Sequence, residues 1–354
     1  MAIWNNDGHA QQLPLTVLTG FLGSGKTTVL NHLTRQSALS RTLVLINEFG
    51  EIGIDSDLVM HCGDDIAMQM SNGCLCCTIK DELVKTLCAA PARFSKHGKP
   101  LFDRVLIETT GLADPAPIIN TIMTDPRIAQ HYYLGGIIAT IDAVNGNETL
   151  DRQIESVKQV AVADKLLITK SDLADDATLR YLQNRLRLIN PAAPQIFAMN
   201  GIIDPALLFD NRLYDPQTKI SDVQGWLNSE SYDDNRNDAS HDHQHENVNR
   251  HDDHINAFCI TFDAPIQQDR FQLWLKTLLL FRGPDFLRVK GIVNIAGQHA
   301  PVVFHAVQHI LHPPVFLDAW PNDDHRSRIV FITRDVEEAE LRKSLDVLAA
   351  GQDV

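Results

Sequence analysis

The 354-residue chain has no apolar run approaching the length that spans a bilayer, and residues 1–12 lack both the basic stretch and the apolar core of a leader segment. Neither secretion nor membrane insertion is expected, and the expected compartment is the cytoplasm. Positive charge is also short. A formal net charge of −14 argues against a general nucleic-acid or anionic-membrane binder, because such proteins need basic surface to displace counterions. Much of the acidity is local, lying after Tyr232. There is no internal repeat, and no disulfide framework. Three of the six cysteines crowd between residues 74 and 77, which in a reducing compartment points to metal or redox chemistry. Length is sufficient for two domains that fold without covalent staples.

Against these absences stands one dense stretch, Gly20-Phe21-Leu22-Gly23-Ser24-Gly25-Lys26-Thr27. It is a full G-x-x-x-x-G-K-[ST] match preceded by the apolar run Leu15-Thr16-Val17-Leu18. Glycines let successive backbone N–H groups curl around a β-phosphate. Lys26 brings a cation to the β and γ oxygens, and the Thr27 hydroxyl suits Mg²⁺. From Thr28 the sequence continues as an apolar-periodic helix whose N-terminal dipole favours the same phosphates. A glycine-rich structural turn is the competing reading; the strand before and helix after weigh against it.

From residue 13 to about 224, short β-branched runs alternate with longer helical ones, the pattern of a parallel sheet flanked by helices. Strands are expected at 15–18, 42–47, 105–108, 136–142, 165–169 and 195–198, and helices at 26–36, 79–89, 115–123, 151–163 and 174–189. Over 228–254, Asp, Asn, Ser and His replace apolar residues and no period survives, which reads as a linker. Order resumes with strands at 257–262, 287–295, 302–307 and 328–333 and helices at 268–280 and 336–348. The expected architecture is an α/β P-loop NTPase domain with a mainly parallel sheet over 13–227, after a flexible tail at 1–12. A smaller C-terminal α+β domain covers 255–354.

The base is indicated by later stretches. Lys165-Leu166-Leu167-Ile168 leads into Thr169-Lys170-Ser171-Asp172, a variant of the N-K-x-D guanine motif at the end of a buried strand. Asp172 accepts both N1–H and the exocyclic amine of guanine, while the Lys170 stem covers the ring. Thr169 replaces the usual Asn, which leaves open the brace that residue normally makes and so the tightness of base selection. A helix-capping turn is the alternative. Val105-Leu106-Ile107-Glu108-Thr109-Thr110-Gly111 ends a strand in an acid suited to the Mg²⁺ hydration shell or to orienting a water, with the Gly111 N–H placed to sense a γ-phosphate. Between these, Asn47-Glu48-Phe49-Gly50-Glu51-Ile52-Gly53-Ile54-Asp55 reads as a switch segment whose Glu48 and Glu51 carboxylates position Mg²⁺ or water. A solvated acidic loop is the plainer alternative.

Asn72-Gly73-Cys74-Leu75-Cys76-Cys77 places three thiols on one turn, suited to Zn²⁺ or another borderline-soft ion and one ligand short of a tetrahedron. Buried packing or a redox pair at Cys76-Cys77 are the competing readings. Cys62, Cys88 and Cys259 read as packing residues. His241, His243, His245, His251 and His254 form a tract that binds metals weakly, or is merely solvated.

In this order, GFLGSGKTT, NEFGE, NGCLCC, ETTGLADP and TKSD resemble the CobW-type GTPases, the metallochaperone branch of P-loop GTPases, and within it the YjiA-like members. The runs at 287–291 and 328–332 look like that family's C-terminal domain, with Thr333 where many relatives have Gly. The resemblance implies GTP hydrolysis with slow turnover, Mg²⁺, and delivery of Zn²⁺ or Co²⁺. It assigns Gly23, Gly25, Lys26 and Thr27 to phosphate and Mg²⁺, with Ser24 and Thr28 beside them. Glu108 becomes the strand-end acid, Lys170 and Asp172 the guanine readers, and Cys74, Cys76 and Cys77 the metal ligands. Expected partners are guanine nucleotide, a transition-metal ion and an unidentified client metalloprotein, with no nucleic acid or membrane; a nucleotide- or metal-dependent homo-oligomer is left open. A P-loop kinase has no use for C-x-C-C or T-K-x-D, a partitioning ATPase would carry Lys where Phe21 stands, and a passive metal store would not need the phosphate apparatus.

Overall fold

The computed structural model describes residues 12–46, 67–69, 77–97, 99–209 and 254–350. The first half alternates strands and helices. Its elements are β1 (Leu13–Gly20), α1 (Lys26–Thr34), β2 (Thr42–Ile46), β3 (Ala67–Gln69) and α2 (Cys77–Arg93). A small hairpin, β4 (Ser95–Lys96) and β5 (Lys99–Pro100), precedes β6 (Arg104–Glu108), α3 (Ala116–Thr124) and α4 (Pro126–Ala129). Then come β7 (Tyr132–Asp142), α5 (Gly146–Arg152), α6 (Ile154–Val162), β8 (Lys165–Thr169), α7 (Asp176–Ile189), β9 (Gln195–Ala198) and α8 (Pro205–Phe209).

Seven of these strands form a sheet in the order β3-β2-β6-β1-β7-β8-β9, and each pairing in it is parallel. Parallel sheets are covered on both faces, which is why their strands read as continuous apolar runs. The central strand shows it: Leu15, Val17 and Leu18 are fully buried, each such side chain contributing about 1.5–3 kcal/mol. Because β1 sits between β6 and β7, the loops leaving all three strands emerge side by side at one edge. That edge is where a doubly wound sheet binds its ligand.

The expected single helix over 151–163 is broken. Gln153 adopts an extended backbone (φ −127°, ψ 103°) between α5 and α6. The break redirects the chain, so that Gln159 on α6 reaches the loop after β6.

The second half is β10 (Ile255–Phe262), α9 (Gln268–Arg282), β11 (Phe286–Val293), β12 (Val302–Val307), β13 (Ile310–Leu311), β14 (Val315–Phe316), β15 (Ser327–Arg334) and α10 (Glu338–Ala350). Its sheet runs β10-β15-β11-β12-β13 with β14 on β12, antiparallel throughout. One face is closed over Phe271, Leu275 and Leu279 of α9 and Leu341 and Leu345 of α10. Thr333 is fully buried and donates from Oγ1 to the Val336 carbonyl at 2.9 Å, fastening the turn into α10.

The two domains share apolar and ionic contacts. Leu287 and Ile332 join the cluster formed by Val157 and Val160 of α6 and Leu182 and Leu186 of α7. At their centre the Asp164 carboxylate, its side chain fully buried, meets Arg288 Nη2 and lies 2.9 Å from Lys290 Nζ. Its other oxygen accepts from the Ile137 N–H at 2.9 Å. Burial alone would raise this carboxyl; Arg288 and Lys290, with those hydrogen bonds, hold it well below the usual carboxylate range. Burial and the neighbouring Arg288 guanidinium push the Lys290 ammonium down to about 8.

Candidate nucleotide site

The glycine-rich loop leaves β1 at its carboxyl end and turns into α1 through Gly25, the helix N-cap, at φ 89°. That left-handed conformation is one glycine adopts without strain. No side chain caps α1 and its first turn holds no acid. The helix dipole and first-turn N–H groups therefore face the loop, a ready anion site. The Lys26 ammonium, 8% exposed, donates to the carbonyls of Gly20 at 2.7 Å and Phe21 at 3.1 Å. It spans the concave side of the loop, where a phosphate oxygen is the natural alternative acceptor.

Three fastenings hold the back of the loop. Ser24 Oγ and Thr140 Oγ1 lie 2.6 Å apart. Thr169 Oγ1 donates to the Ser24 carbonyl at 2.7 Å and to that of Ile141 at 3.2 Å. Lys170 Nζ donates to the Gly23 carbonyl and to Asp142 Oδ2, both at 2.8 Å. The brace left open by Thr169 in place of Asn is thus made by a hydroxyl. Burial would raise Asp142, but Lys170, Asn145 and two backbone N–H groups draw it down, so it stays ionised against the lysine. Lys170 is left-handed at φ 55°, and the turn it starts carries Asp172, which is exposed.

On the other flank, Thr27 Oγ1 donates to Glu108 Oε1 at 3.1 Å. Glu108 is 2% exposed. A hydroxyl paired with a buried carboxylate beside a phosphate loop is an oxygen donor set of the kind Mg²⁺ takes. The loop after β6 is then tied to β1, Thr109 bonding Leu18 through its backbone and Thr19 through its hydroxyl, both at 2.9 Å. Gly111 follows so close to the phosphate loop that a Cβ there would stand 2.6 Å from the Leu22 nitrogen.

The structure thus gathers Gly23, Ser24, Gly25, Lys26, Thr27, Glu108, Gly111 and Lys170 around one loop, with Asp172 exposed two residues beyond Lys170 and Thr28 exposed on the first turn of α1. Glu48, Glu51, Cys74 and Cys76 lie outside the described residues, as does the side chain of Cys77, whose backbone opens α2. Cys62, His241, His243, His245 and His251 lie outside them as well. His254 Nδ1 bonds Asp335 Oδ1 at 2.7 Å. Cys88 and Cys259 are partly buried thiols. Among the described residues no group of three His, Cys, Asp or Glu side chains could hold a metal ion, and no helix is long and apolar enough to cross a membrane.

Sequence reasoning passed over Asp142 and Asp114. Asp142 ends β7 as Glu108 ends β6, and an acid closing a buried run was its available signal. Asp114 lay inside a motif already quoted.

Loop, braces and strand-end acid together make the first half a phosphate-loop nucleotide-binding domain. Comparison with known proteins narrows this. The profile for the CobW/HypB/UreG nucleotide-binding domain matches residues 14–197, and that for the cobalamin synthesis protein cobW C-terminal domain matches residues 255–349. The chain belongs to the CobW/HypB/UreG family. It is 32% identical to the zinc chaperone YjiA of Escherichia coli (strain K12), over 93% of this chain and 96% of that protein. It is 27% identical to the zinc chaperone CobW of a Sinorhizobium species, over 95% of this chain and 97% of the other. The crystal structure of Zn(II)-bound YjiA GTPase from E. coli matches with a TM-score of 0.69 at 29% identity, covering 96% of this chain and 99% of that one.

Proposed function

We propose that the protein is a GTP-hydrolysing metallochaperone with slow intrinsic turnover, binding Zn²⁺ or Co²⁺ through Cys74, Cys76 and Cys77 and passing it to a client protein under nucleotide control. The observation that carries the nucleotide half is the pair of braces Thr169–Ser24 and Lys170–Gly23, which hold the base-reading turn in fixed register with the phosphate loop. A guanine paired with Asp172 then has its phosphates delivered to Lys26 and the start of α1. The metal half is supported by the C-x-C-C spacing and by the kinship with proteins named zinc chaperones.

Within this reading Lys26 exchanges its carbonyl partners for phosphate oxygens, and Gly111 presents its N–H toward the terminal phosphate. Glu108 holds the Thr27 hydroxyl in place, with Glu48 and Glu51 proposed to orient water. Mg²⁺, when bound by Thr27 with Glu108 beside it, supplies charge neutralisation at the phosphates. Burial of Lys26 and Glu108 in the loop limits water around them and strengthens their electrostatics.

Calorimetry with GTP and ATP tests the nucleotide half: GTP binds more tightly than ATP, and Lys26→Ala abolishes binding. Equal GTP affinity in the variant rejects it. Chelator competition for Zn²⁺ in the apo, GDP and non-hydrolysable GTP states tests the metal half. The GTP state is expected to hold metal roughly 5–150-fold more tightly than the GDP state, and Cys76→Ser to erase the difference.

A further inference from the structure

The loop that leaves β6 is held from both domains. Gln159 Nε2 of α6, itself 1% exposed, donates to the carbonyls of Gly111 at 3.3 Å and Ala113 at 3.0 Å. Asp114, at the end of this loop, accepts from the Ala116 N–H at 3.0 Å and so caps α3. Its second oxygen accepts from Lys158 Nζ at 3.0 Å and from Gln308 Nε2 at 3.2 Å. Gln308 belongs to the C-terminal domain, in the tight turn between β12 and β13. Its own backbone is left-handed at φ 53° and its N–H is tied to the Phe286 carbonyl at 2.8 Å. A side chain on so constrained a turn has little freedom to follow a moving partner. The preceding residue, Val307, is buried among Ala116, Ile118 and Ile119, the first residues of α3.

This contact differs in kind from the one at Asp164. There a fully buried carboxylate is clamped by two cations far from the phosphate loop. The Gln308–Asp114 contact is partly exposed and neutral on one side, and lies three residues beyond the glycine that abuts Leu22. One attachment is a fixed anchor, the other a contact that yields.

We propose that Gln308 is a positioning residue for the loop after β6. It holds Asp114, and through the short segment to Gly111 it couples nucleotide state at the phosphate loop to the placement of the β11–β12 part of the C-terminal sheet. The inference rests on the nucleotide-hydrolysis reading and adds to it the route by which the C-terminal domain senses the terminal phosphate. A shift of Gly111 toward that phosphate draws Asp114 along the chain and changes its hydrogen bond to Gln308, while the Asp164 anchor keeps the domains attached.

The test uses the full chain as wild type, Gln308→Leu, which removes the donor, and Gln308→Lys, which keeps one. Amide hydrogen exchange across residues 302–311 is followed with Mg·GDP and with a Mg-bound non-hydrolysable GTP analogue, alongside steady-state hydrolysis and calorimetric nucleotide binding. Wild type is expected to exchange differently in the two states. Gln308→Leu abolishes that difference and lowers kcat about 5-fold with KM changed by less than about 2-fold. Gln308→Lys restores both, which general loss of packing at the turn would not allow. Wild type that binds GTP but shows identical exchange in both states overturns the inference alone, as do Leu and Lys variants that behave alike. Wild type that binds no nucleotide overturns the functional reading and this inference with it.

Discussion

Thr169 Oγ1 donates to the Ser24 carbonyl at 2.7 Å, joining the turn proposed to read the base to the glycine-rich loop. The residue is 3% exposed, so the bond is shielded from water. A hydroxyl does this work because β8 approaches the loop closely: a Cβ on Gly25 would lie 3.5 Å from Thr169.

Thr169→Val keeps the shape and removes the donor. Leaving the Ser24 carbonyl without it costs about 1–3 kcal/mol. GTP binding is expected to weaken about tenfold, equivalent to about 1.4 kcal/mol, as measured by calorimetry. Thr169→Ser retains the hydroxyl and should bind as wild type; loss in both variants would point to packing instead.

Gly111→Ala inserts a methyl group 2.6 Å from the Leu22 nitrogen, and because that neighbour is backbone it cannot swing aside. Overpacking of this kind costs about 1–3 kcal/mol. On the proposed role of Gly111, whose N–H would meet the terminal phosphate, GTP affinity should fall further than GDP affinity. Parallel titrations with the two nucleotides decide it; equal losses count against that role for Gly111.

Asp164→Ala removes the carboxylate from between two buried cations, Arg288 and Lys290. Breaking a buried pair in this way costs about 3–5 kcal/mol. Urea denaturation followed by intrinsic fluorescence should show the midpoint fall. Interdomain contact should weaken before the parallel sheet melts, giving two transitions where wild type has one.

Acid should destabilise the C-terminal domain earlier than its carboxylates alone predict. His305, 4% exposed, is held well below its ordinary value by burial and then by Lys290, and burial and Arg288 hold His312 down to about 3. Both folded pKa values lie below the unfolded value, so the unfolded chain takes up protons that the folded chain refuses. Stability contributed by the neutral rings is complete above about pH 6.5 and is lost as pH falls. For His312 the loss between pH 6.5 and 5 is roughly 1–2 kcal/mol. Thermal melts from pH 7.5 to 5 check this, and His305→Gln should flatten the dependence.

How much was legible follows from where each signal lies along the chain. Strands β8 and β9 were readable at their observed bounds, because a buried parallel strand is a bare apolar run between polar turns. β3 was not, since three residues at a sheet edge carry no period. Gln153 breaks a helix without being a helix breaker, so only tertiary packing reveals the break. The phosphate loop is contiguous and was legible in full. Asp142 holds a lysine 28 residues on, and Asp114 meets Gln308 194 residues on; pairings across such distances leave no local pattern. The cysteine cluster was conspicuous as spacing alone, and its geometry lies outside the described residues.

The interdomain anchor also bears on how the chain is made. Asp164 leaves the ribosome 124 residues before Arg288. At synthesis rates of about 5–20 residues per second, the interval is roughly 6–25 s. Throughout that time the nascent first half displays a carboxylate destined for burial, together with helix faces against which Ile255, Leu287 and Ile332 will pack. Helix and parallel-sheet formation finish well within it, so the first half waits, folded but uncovered, for the strands that seal it. A messenger truncated after residue 209 therefore encodes a first half whose α6 and α7 faces lack the C-terminal strands that pack on them.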